Sequence, residues 1–260
     1  MSKVIWWLIV ILGCGLLATI LYFALPQTKP GPVAQPTAPA PPAAPAEPQI
    51  RYPVTPQPAE KPLPALDASD STMKNALGEL LSEKTLIDLF QLQDFVRRIV
   101  ATVDNLPREK VALQRMPVKR VGGKFLVTGR DDSLAVGADN AARYALYVRL
   151  AEATDAGKLV ALYLHFYPLF QQAYLDLGYP KGYFNDRLID VIDHLLAAPE
   201  VRAPVKLVQP KVFYLFADSG LEARSAGQKI LMRIGGENAA KIKAKLREIR
   251  GELTRRVPKQ

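Results

Sequence analysis

The chain has one cysteine, Cys14, and two histidines, His165 and His194, in 260 residues. A single thiol closes no intrachain disulfide, so any folded domain here rests on its own apolar core. No cysteine pair and no His-x-x-x-His spacing is present to supply a zinc site. The Gly-x-Ser-x-Gly elbow of serine hydrolases is missing as well, since "ADSGLEA" around Ser219 does not carry it. A serine triad would have to assemble through space on His165 or His194. His165 stands among Leu164, Phe166 and Tyr167, the setting of a core or pocket-lining histidine. Acidic residues are in deficit, 25 Asp and Glu against 34 Lys and Arg, for a net charge of +9. In a cytosolic protein that excess points toward nucleic acid, so topology decides how it is read.

Residues 4–25 contain 22 positions without a charge, with Trp6 and Trp7 near one end and Tyr22 and Phe23 near the other. A helix of that length covers about 33 Å, against a hydrocarbon thickness of about 30 Å. Lys3 and the N-terminal amine precede the run and only Lys29 follows closely, so the N-terminus is expected in the cytoplasm and the remainder outside. The run is longer than the 7 to 15 or so residues of a cleaved signal core. "ILGC" loosely resembles the site at which bacterial lipoproteins are acylated, which makes Cys14 an alternative anchor. The apolar stretch nevertheless continues past Cys14, and Leu12 is large for the position two before it.

Residues 26–66 hold 14 of the 22 prolines. Proline removes backbone donors and favours extended neighbours, so a Pro/Ala-rich linker without a packed core is expected, roughly 120 Å in contour. From residue 67 the composition becomes globular, long enough for one domain of ordinary size.

The coarse reading of 67–260 is mainly α, a helical bundle-like domain with a small β-hairpin or meander at 117–137. The spacing of Leu89, Leu92, Val96, Ile99, Val103 and Leu106 predicts one amphipathic helix closed by Pro107. Tyr144, Tyr147, Val148 and Ala151 mark a second. Residues 155–177, uncharged between Leu159 and Leu175, predict a buried central helix. Further helices are expected over "FNDRLIDVIDHLLAAPE", ending near Pro199, then over 221–234 and 237–256, parted by Gly235-Gly236.

"RRIVATVDNLPR", "YLHFYPLFQQAYLDLGYP", "IDHLLAAPEV" and "YLFADSGLEARSAGQKILMRIG" resemble, in order and over nearly all of 64–255, a proteobacterial family catalogued as domain of unknown function 3014. The resemblance implies an envelope protein of Gram-negative bacteria, anchored by an N-terminal span with a Pro-rich spacer. It brings no catalytic, cofactor or ligand residues with it.

Three groups of residues are candidates for function. Asp186, Asp190 and Asp193 fall within about 60° on one helix face with His194 on the flank, an acidic face for docking, for a metal with ligands from elsewhere, or for glycan hydrolysis by Asp190 and Asp193. Tyr179 and Tyr183, in "GYPKGY", are candidate ligand contacts because loops present such residues. Charge is concentrated at the end of the chain: residues 67–223 carry 19 basic and 20 acidic side chains, residues 224–260 carry 11 and 3. There Ala239, Ile242, Leu246, Ile249 and Leu253 form an apolar stripe, leaving Lys241, Lys243, Lys245, Arg247 and Arg250 as a basic face. The stripe suits docking on the domain or on a second copy. Outside the inner membrane the counterpart of such cations is an anionic envelope component or an acidic protein, not nucleic acid. The acidic stripe itself is an internal alternative. No cofactor is implied, and the expected role is a non-enzymatic envelope binding or scaffold module.

Overall fold

Among the residues that the computed structural model describes, 49–54 and 62–255, ten helices run in chain order. They are α1 (Asp70–Gly78), α2 (Glu83–Leu89), α3 (Phe95–Asn105), α4 (Asn140–Ala153), α5 (Ala156–His165), α6 (Tyr167–Asp176), α7 (Phe184–Leu196), α8 (Ser219–Glu222), α9 (Ala226–Arg233) and α10 (Gly236–Arg255). The chain is therefore mainly helical. No described helix is long and apolar enough to cross a membrane. The expected span at 4–25, Cys14 and the linker up to residue 48 lie outside the described residues.

Helix α7 organises the packing: it meets α3, α6, α9 and α10. Its sequence alternates in helical period between Phe184, Ile189, Ile192 and Leu195, all buried, and the Asp186, Asp190 and Asp193 flank. The main core gathers Phe184 and Ile189 of α7, Phe166 and Phe170 beside or in α6, Val96 and Val100 of α3, and Met73 of α1. A second cluster joins Val191 and Leu195 to Leu231, Ile234 and the stripe of α10. Helix starts are fixed locally where a side chain can cap them: Ser82, Asp155, Asp218 and Ser225 each accept from a backbone N–H of the first turn.

Three expected helices are each divided, the one over 221–234 falling into α8 and α9 because Ser225 caps a new start. The stretch "LSEKTLIDLFQLQDFVRRIVATVDNLP", expected as the one helix closed by Pro107, breaks after Leu89, where Phe90 turns extended and pairs with Val118. Asp94 then takes a left-handed conformation at φ 51°. The new start at α3 is capped from another element, the Asp70 carboxylate accepting from the N–H groups of Asp94 (2.8 Å) and Phe95 (3.0 Å). The 155–177 segment breaks at Phe166, because Pro168 in the first turn of α6 has no N–H to continue the α5 ladder. The fragment that leaves His165 at its end also leaves it exposed, correcting the core setting expected for it.

The β structure is smaller than a meander and partly elsewhere. Strand β1 (Val127–Thr128) pairs antiparallel with β2 (Ala135–Val136), and β3 (Leu207–Val208) with β4 (Leu215–Phe216). The Val118 region bridges Phe90 instead. An Ala135–Lys206 bridge, with Leu207 N–H donating to Leu134 O at 2.8 Å and Val136 N–H to Val205 O at 2.9 Å, sets the two hairpins side by side. Leu207, Phe216 and Met232 form the core beneath them.

The linker boundary also moves. Residues 49–54 fall inside the stretch expected to lack packed contacts, yet Tyr52 and Val54 pack on the main core, as do Leu63 and Leu66. Apolar side chains interleaved with the prolines are what let these short pieces dock.

Candidate functional site

The acidic face of α7 holds the chain's own N-terminal segment. Residues Arg51–Val54 lie against the start of α7 as a strap. The Asp186 carboxylate accepts from both the Arg51 N–H, at 2.9 Å, and the Tyr52 N–H, at 2.8 Å. Buried Asn185 donates from its side-chain amide to Tyr52 O at 2.9 Å, and the Tyr183 hydroxyl accepts from the Val54 N–H at 2.6 Å. Arg51 also reaches Asp190 at 2.6 Å in an exposed pair. Three side chains from one helix start, Tyr183, Asn185 and Asp186, thus satisfy four backbone groups of the strap.

One turn further along, Asp193 receives the Arg250 guanidinium of α10 through two bonds, 2.5 Å and 2.9 Å. That contact holds Arg250 further above its ordinary pKa, the Asp193 hydrogen bond being the largest cause, and Tyr52 adds to it. The face read as a site for docking, for a metal or for hydrolysis, or as an internal seat for the basic helix, is occupied: Asp186 and Asp190 by the strap, Asp193 by Arg250 of that helix. Among the described residues no group of three His, Cys, Asp or Glu side chains is arranged to hold a metal ion.

The basic face of α10 is corrected residue by residue. Lys243 is buried and donates to Ala198 O at 2.6 Å. Lys245 donates to Thr154 O at 2.9 Å and pairs with Glu248. Lys241 lies between Glu152 and Glu237. Only Arg247 of the five is exposed and, among the described residues, without an ion pair. The helix packs on α4, α5, α7 and α9, so its contact surface is wider than the narrow stripe, and most of its cations become struts between elements.

Of the loop tyrosines, Tyr183 is the strap contact, its ring 5.6 Å from that of Tyr167. Tyr179 faces inward, stacked on Tyr174 at 4.6 Å, and donates to the buried Asp104 at 3.1 Å. Asp104 escaped sequence reasoning. Its carboxylate also accepts from Arg108 at 2.6 Å and Arg187 at 3.0 Å, and Arg187 donates again to Asp104 O at 2.7 Å, tying α7 to the end of α3. A lone Asp at the end of an apolar helical pattern was the available signal.

His194 meets Ser225 Oγ at 2.7 Å, which has the distance of a nucleophile–base pair. Ser225 is buried, 8% exposed, and its oxygen is the N-cap of α9, accepting from Gln228 N–H. The Ser225 hydroxyl thus serves the helix cap and the histidine ring at once. Burial, then the nearby Arg187 charge, push its pKa below the ordinary histidine value. The pair is a cap and a helix tie.

Compared with curated proteins and with solved structures, the chain matches none. A family profile described as "Protein of unknown function (DUF3014)" matches residues 95–250, more than half the chain and all of α3 through most of α10. The strap lies N-terminal to the matched stretch, whereas Tyr183, Asn185, Asp186 and Asp190, which receive it, lie inside. This chain belongs to the DUF3014 family.

Proposed function

We propose that the chain is a single-pass inner-membrane protein of the bacterial envelope whose helical domain works as a non-enzymatic binding or scaffold module outside the membrane. The uncharged run at 4–25 is its anchor and residues 26–48 its spacer. The carrying observation is the Asp186 clamp, which fixes the point at which the tether leaves the domain. Such a tie has a use in a tethered module. Arg51 on Asp190 and Arg250 on Asp193 also engage the carboxylates that a hydrolase would need free for substrate. The experiment is a fusion at the C-terminus of a reporter active only outside the cytoplasm, together with in-cell crosslinking of the domain. An active reporter and capture of envelope components support the reading; a reporter active only in the cytosol overturns it. Lost turnover of a glycan substrate in Asp190→Asn, with the fold intact, would replace the scaffold by a hydrolase.

A further inference from the structure

The β3–β4 hairpin carries a pair of apolar side chains aimed at solvent. Val212 and Phe213 are each 78% exposed, at the tip between Val208 and Leu215. Isolated exposed apolar residues are ordinary, but two adjacent ones at that exposure on a projecting turn are not. The hairpin beneath them is rigidly mounted: Leu207 and Phe216 are buried, Arg233 donates to Tyr214 O at 3.1 Å and stacks over Phe216, and the Gln209 amide donates to Val212 O.

The surroundings are basic. Residues 117–137 and 202–216, the two hairpin segments joined by the Ala135–Lys206 bridge, carry seven basic and two acidic side chains, Asp131 and Asp132. Lys124, Arg130, Arg202, Lys206 and Lys211 are exposed, and among the described residues none of them is in an ion pair. Here the domain presents five uncommitted cations, against Arg247 alone among the five basic-face residues of α10.

We infer that the β3–β4 tip is a membrane-contact site, Val212 and Phe213 entering the interface of an anionic phospholipid surface while Lys206, Lys211 and their neighbours face the headgroups. Apolar side chains flanked by cations are what such an interface binds. Residues 26–50 separate the uncharged run from the strap, 25 residues that extend to at most about 90 Å, while a domain of this size is about 45 Å across. Every face of the domain is thus within reach of the bilayer carrying the anchor. The inference rests on the tethered reading above.

The test uses the full chain with Cys14→Ser and a nitroxide on Val212→Cys, reconstituted into vesicles containing phosphatidylglycerol and, in parallel, into phosphatidylcholine vesicles. A label on Asn75→Cys of α1 is the aqueous control. At 212 in the anionic vesicles, oxygen collisions are expected to exceed those of a water-soluble nickel chelate, the reverse of the order at 75. That reversal is lost for a label on Val208→Cys when Val212→Ser and Phe213→Ser are added. Residue 212 as aqueous as residue 75 in both vesicles overturns the inference, and equal depth in both overturns the choice of an anionic surface. Protection of residue 212 in cells but not in vesicles assigns the tip to a protein instead. Carbonate-resistant flotation of the same samples reads the anchor separately, so loss of the tether and loss of the tip contact are told apart.

Discussion

Asp186→Asn keeps the shape of the clamp and removes half of its capacity. The carboxylate accepts two backbone N–H groups and is only 13% exposed, so solvent screens these bonds little. Asparagine offers one oxygen, which leaves the Arg51 or Tyr52 N–H facing an amide NH2. A hydrogen bond to a charged group contributes about 1.5–3 kcal/mol, and opening of the strap should become easier by that amount. At about 1.4 kcal/mol per factor of ten, hydrogen exchange of the 51 and 52 amides accelerates about 10- to 150-fold. The released strap rehydrates, so amides in α3 and α7 should keep their wild-type protection. Exchange at 51 and 52 within about threefold of wild type, or equal acceleration throughout the domain, would refute a local clamp.

Asp104→Asn strips the charge between Arg108 and Arg187. The carboxylate is 3% exposed, but Arg108 is 53% exposed and can turn to water, so the loss is expected at or below the low end for broken buried pairs, about 2–3 kcal/mol by urea denaturation; a change under about 1 kcal/mol contradicts the network. Gly227→Ala tests packing against propensity. A Cβ there would stand 2.6 Å from Leu195 Cδ2 and 3.1 Å from Leu106 O, so the variant should lose about 1–3 kcal/mol although alanine favours helix by about 1 kcal/mol. Its midpoint rising instead would show that α9 can move away from α7. His194 has its folded pKa depressed, so the unfolded chain takes the proton first and stability falls as pH drops below about 6.5. The unfolding midpoint of wild type relative to His194→Gln should stay flat above neutrality and fall through that window; a constant difference contradicts the depressed pKa.

What could be read from the sequence was local. Helix α7, the α10 stripe, and the ends near Pro107, Pro199 and Gly235 follow from period and punctuation, and Gly235 does take a left-handed turn at φ 93°. The break before α3 was hidden because no Gly or Pro marks it; its cap is Asp70, 24 residues upstream, on a different helix. The break before α6 was legible, since Pro168 sits where an unbroken helix loses a hydrogen bond. The acidic face was located correctly, but its partners are 135 and 57 residues away, beyond any pattern in a single helix. The strap left one trace: Tyr52 is the first aromatic residue after Phe23, in the midst of a Pro-rich stretch. The basic helix misled because counting charges along a helix does not reveal how many neighbours it packs against.

The central claim is a domain outside the membrane with its tether clamped on α7, and trypsin can read both parts at once. Between Lys3 and Lys74 the basic residues are Lys29, Arg51 and Lys61, and both lysines precede proline, so Arg51–Tyr52 is the one bond there that trypsin readily cuts. Added to intact spheroplasts, trypsin should release a soluble fragment beginning at Tyr52 slowly from wild type and at least about tenfold faster from Asp186→Asn. Equal release from both contradicts the clamp. Release only after the spheroplasts are lysed contradicts the topology.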